Sequence, residues 1–79
     1  MADNFANYLQ DLGHLLRERL GEAQREAESA AGPNRQFEAG RYRAYREVLA
    51  LMLSQADAFE ISPGALSLDG LDRGRDLGC

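Results

Sequence analysis

Apolar residues recur early in the chain at spacings of three and four: Phe5, Leu9, Leu12, Leu16, Leu20, Ala23, Ala27 and Ala30. That is the period of an amphipathic helix. It is predicted to begin at Phe5 behind an Asp3 or Asn4 cap and to run to about Ala31. The stripe is bulky first and all alanine later, so a neighbouring helix should come closest near its end. Gly13 and Gly21 interrupt the pattern. Each costs about 1 kcal/mol against alanine and points to close packing or a slight bend. Gly32-Pro33 then stops the helix, and Asn34 is expected to cap a second one, Arg35 to about Phe59 or Ile61. Two long helices joined by so short a turn lie antiparallel.

The second helix is apolar around too much of its girth. At about 100° per residue, Ala44, Val48, Leu51 and Ala58 form one seam, and Tyr45, Leu49, Met52, Ala56 and Phe59 a second beside it, with Leu53. Together they cover roughly 220° of arc, against the roughly 100° that a surface helix hides against one neighbour. The first seam is expected to face the first helix: Leu51 near Leu12 and Leu16, Gly40 and Ala44 near Ala23 and Ala27, Phe59 near Phe5. The second seam, Tyr45, Leu49, Met52, Leu53, Ala56 and Phe59, is left for a second copy. The predicted fold is all-α. An antiparallel two-helix hairpin, residues 1–61, dimerises into a four-helix bundle. Ser62-Pro63-Gly64 stops the second helix and starts a short turn, and 62–79 otherwise reads as a mobile tail.

Size sharpens the case for association. A chain of 79 residues buries a modest fraction of its surface and needs disulfides, a metal or a partner. Its single cysteine, Cys79, forms no internal disulfide, and no Cys/His cluster suits zinc. No cofactor is expected. The longest apolar run, Val48 to Leu53, is far shorter than the ~20 residues of a membrane span. The start lacks a basic stretch followed by an apolar core, so a signal peptide is not expected and the chain reads as cytoplasmic. The formal charge is −4, from thirteen acids and nine bases, all nine arginine. An acidic chain is a poor phosphate binder. Arginine without lysine fits GC-rich coding DNA and a bacterial or phage source.

Three polar groups stand out. His14 has Asp11 and Glu18 one turn either side, a spacing that suits a metal ligand but also an ordinary solvated face; a nucleophile and a pocket are missing. Arg41 lies inside the apolar arc and is predicted to reach Glu22 or Glu26, setting register at some loss of stability. Its other use would be to grip an anion. Arg35, Tyr42 and Arg46 form a rim of the residue types enriched at protein interfaces. With Arg43, the same rim could stack on nucleic acid, the alternative function. Ser62 and Ser67 read as caps, and neither familiar phosphate-loop pattern occurs.

The segment Phe37-Glu38-Ala39-Gly40-Arg41-Tyr42-Arg43-Ala44-Tyr45-Arg46-Glu47-Val48-Leu49 resembles an F-x-x-G-R-x-x-A-Y-x-E-V-L-like second helix found in small uncharacterised bacterial and phage proteins. The likeness covers about a sixth of the chain. It implies a helical hairpin, often of phage or prophage origin and usually without an assigned function; by analogy, small phage proteins of this shape commonly act by binding a host protein, and no site residue carries over from the resemblance. The expected function is a non-enzymatic protein-binding module, a small regulator or inhibitor of a larger protein.

Overall fold

The computed structural model describes residues 4–78, which are all-helical with no strand among them. Helix α1 spans Asn4–Ser29 and α2 spans Asn34–Ala58; a 3-10 turn, Pro63–Leu66, and a short helix α3, Arg73–Leu77, follow. The expected Asp3 cap lies outside the described residues. Asn34 does not cap α2. Gly32 makes the reversal at φ 65°, and the chain is already helical at Pro33 (φ −64°, ψ −21°). Asn34 is therefore the first helical residue, and the cap position makes no side-chain hydrogen bond.

The hairpin forms as the pattern requires, with α1 and α2 packed along each other. Its interior uses the other seam of α2. Leu49 is 0% exposed, Leu53 and Ala56 are buried, and Tyr42, Tyr45 and Met52 pack partly against them. Leu51, expected to face α1, is 64% exposed. On a helical wheel Tyr42, Leu49, Leu53 and Ala56 fall within about 60° of one another, centred roughly 140° from the midpoint of Val48 and Leu51.

The reason lies in the C-terminal segment. Leu66, Leu68 and Leu77 are buried in one cluster with Leu20, Leu49 and Leu53, and Leu71 packs against it. Within the segment expected to be a mobile tail, Leu77 is buried in that cluster and Leu71 packs against it, while Asp72, Gly74, Arg75 and Gly78 stay exposed. A helix facing both α1 and this strap buries its largest unbroken stripe between them.

Local chemistry turns the chain back to make that possible. The Ile61 N–H donates to the Ala56 carbonyl at 2.7 Å and the Glu60 N–H to Asp57 at 3.1 Å, closing α2 with Glu60 at φ 57°. This paired closure is the usual way a helix ends on a left-handed residue. The Ser62 hydroxyl accepts from the Gly64 N–H, as its reading as a cap anticipates. The 3-10 turn ends in the same manner: Leu68 N–H to Pro63, Ser67 N–H to Gly64, with Ser67 at φ 58°. Two successive left-handed turns aim Leu66 and Leu68 into the groove.

Gly13 is where the strap touches α1. A Cβ at that position would lie 1.7 Å from the Leu66 carbonyl oxygen, so only glycine admits this backbone approach. One turn on, the Arg17 guanidinium donates to the carbonyls of Ser67 (3.1 Å) and Asp69 (2.7 Å). Arg73 pairs with Asp57 at 2.9 Å and ties α3 to α2. Helix α3 is capped reciprocally. The Asp72 carboxylate accepts from the Arg75 N–H, and the Asp76 carboxylate from the Asp72 N–H, each at 2.8 Å.

Candidate interaction surface

The strap covers one side of the hairpin and leaves the other side apolar. On α2, Phe37 (68% exposed), Val48 (43%), Leu51 (64%) and the cap residue Phe59 (70%) share an arc of about 80° at helical spacing. Tyr8 and Leu9 add exposed apolar surface from α1. Toward the open end of the hairpin this side deepens into an apolar cleft of about 290 Å³, lined by Leu9, Leu51, Met52, Phe59, Ile61 and Leu66, with Gln55 as its one polar neighbour. Isolated exposed leucines are ordinary on a protein surface; exposed aromatic and aliphatic side chains gathered around an apolar cleft are the pattern of an interaction site.

The residues expected to form the outward seam are divided by the structure. Leu49, Leu53 and Ala56 lie in the core of a single chain, a correction to their reading as an interface. Tyr45 and Met52 are half-buried at the boundary, and Phe59 is exposed. Phe37, Val48, Leu51, Leu9 and Ile61 take the outward role instead. A signal for them exists in the sequence: Phe37, Val48 and Phe59 are spaced by eleven residues, close to three whole turns.

The polar candidates also separate. Arg41 meets Glu26 at 2.6 Å, as anticipated, and Glu38 at 3.4 Å. Partial desolvation opposes its charge, but the two carboxylates outweigh it and raise its pKa above the ordinary arginine value. An arginine so paired clamps α1 to α2 near the turn, on the side where Phe37 and Val48 are exposed.

Arg46 and Tyr42 leave the proposed rim. The Arg46 guanidinium stacks over the Tyr42 ring at 4.5 Å. Its Nε is buried without a hydrogen-bond partner, and Gly78 lies so close that a Cβ there would meet Arg46 Nη1 at 2.9 Å. These two residues pack beneath the chain end, and one face of the tyrosine is already occupied. Arg35 is exposed. His14 pairs with Glu18 at 3.3 Å, both more than half exposed. They border an open polar groove with Arg17, Gly21, Glu22, Arg25 and Ser67. Among the described residues no group of three or more His, Cys, Asp or Glu side chains is placed to hold a metal ion.

Among the described residues, no helix is long and apolar enough to cross a membrane. Compared with protein-family models, curated proteins and solved structures, the chain matches none.

Proposed function

We propose that the chain is a non-enzymatic protein-binding module, a small regulator or inhibitor that acts on a larger protein through the strap-free face of the hairpin. One observation carries this reading: exposed Val48, Leu51 and Phe59 around an apolar cleft, with exposed Phe37 three turns away on the same side of α2, left open on the side away from the strap. Aromatic and leucine side chains around a cleft are the anchors on which interface energies concentrate. A helix pair that shows one apolar side is completed most simply by another helix pair, giving a four-helix arrangement. A second copy and a larger protein would therefore compete for the same surface.

The test compares the native chain with Leu51→Asp, which alters the exposed face and leaves the core intact. Both are immobilised and exposed to lysate of the source cells. The native chain should retain a protein in stoichiometric amount, and the folded variant should lose it. Equal retention by both, or by neither, overturns the reading.

A further inference from the structure

We infer that, until a larger partner displaces it, the occupant of the strap-free face is a second copy of this chain, docked antiparallel about a two-fold axis at Val48, with Phe37 of each copy in the apolar cleft of the other. The inference rests on the reading that this face is an interface, and adds the partner and its register.

The stripe on α2 is symmetric about its midpoint. Phe37 and Phe59 lie eleven residues on either side of Val48. Eleven residues make about three turns and drift only ~20° around the helix, so all three stay on one side. When two copies of such a helix run antiparallel about Val48, Phe37 faces Phe59 of the second copy, Tyr45 faces its Leu51, and Ala44 faces its Met52. Large residues meet smaller ones along the middle, and aromatics meet at both ends.

The cleft selects this direction over the parallel one. It lies at the Phe59 end, between Leu9, Leu51, Met52 and Ile61. At about 290 Å³ it has room for a phenyl ring, since a closed site of roughly 150 Å³ already takes benzene. Antiparallel docking brings Phe37 of the second copy to that end. Parallel docking sets Phe37 against Phe37 at the turn and leaves both clefts without an aromatic from the other copy.

The exposed apolar area supplies much of what such a pairing buries. Phe37, Val48, Leu51, Phe59 and Leu9 together expose roughly 500 Å² of apolar side-chain area, most of it from the two aromatics, against the ~800 Å² per partner of a standard interface, the remainder falling to a polar rim.

The experiment uses the full chain in a Cys79→Ser background. Light scattering at micromolar concentration should give twice the monomer mass. Under mild oxidation, Val48→Cys should cross-link to itself. Phe37→Cys alone should not, but should cross-link when mixed with Phe59→Cys. All three positions are exposed, and circular dichroism establishes that each variant keeps its helix content. A monomer mass overturns the inference, as does Phe37→Cys cross-linking to itself faster than to Phe59→Cys. A monomeric native chain whose capture of another protein still depends on Leu51 would overturn this inference and leave the proposed function standing. Dependence of neither property on Leu51 would end both.

Discussion

The two sides of α2 are almost equally apolar in composition and have opposite fates. On one side Tyr42, Leu49, Leu53 and Ala56 meet α1 and a strap carrying Leu66, Leu68 and Leu77. On the other, Phe37, Val48, Leu51 and Phe59 meet nothing of comparable bulk and stay exposed. What separates the sides is the path of the backbone after residue 58. Two left-handed turns, at Glu60 and Ser67, steer the strap across one groove, and Gly13 lets it approach α1. Apolar character alone therefore does not say which side of a helix is core. In a chain this small, the last residues decide it.

The comparison breaks most sharply by charge. Leu49→Asp or Leu53→Asp buries an unpaired carboxylate and should cost about 4 kcal/mol or more, enough to unfold the domain. Leu51→Asp or Val48→Asp should leave the fold of the single chain within about 0.5 kcal/mol of the native one. Thermal melts followed by circular dichroism, at a concentration where every chain is monomeric, read both. Equal losses on the two sides would mean that the assignment of core and surface is wrong.

A finer test uses the two glycines of α1. Gly13→Ala should cost about 3 kcal/mol, because Leu66 must retreat and the strap lift. Gly21→Ala meets only the flexible end of Arg25, at 3.5 Å, and should stabilise by about 0.5–1 kcal/mol. Denaturant melts give both values. Amide exchange in residues 66–77 should quicken in the first variant alone.

Smaller effects sharpen the account of the strap. Glu60 holds a left-handed conformation that costs a side-chain-bearing residue about 1 kcal/mol or more. Glu60→Gly should recover about 0.5 kcal/mol of that in a denaturant melt, net of the added chain entropy.

The smallest effect is one of pH. The Asp76 carboxyl is held below the usual aspartate value by hydrogen bonds, first from Arg75 and then from the Asp72 backbone. A lowered folded-state pKa stabilises above the unfolded value, ~3.9 for aspartate, and that contribution is lost as pH falls further through the folded value. The protection of α3 amides, relative to their intrinsic exchange rates, should therefore fall below about pH 4, and Asp76→Asn should flatten the dependence.

Much of the fold is legible in the residues themselves. The three-and-four spacing from Phe5 to Ala30, the break at Gly32-Pro33 and the apolar run to Phe59 determine two long helices and an antiparallel turn. The excess girth of α2 is also plain, as is the need for cover on two sides. Even Arg41 with Glu26 follows from placing charges beside an apolar stripe near the turn.

Tertiary structure alone decided which arc of α2 faces inward. Helical periodicity specifies angles about an axis, not the neighbour that each angle will meet. The second cover came from residues 63–77, whose leucines lack a period because they are delivered by turns, not by one regular helix. The left-handed positions of these turns hold Glu60 and Ser67 in place of glycine, so their direction is set only once Leu66 and Leu68 find the groove beside Gly13.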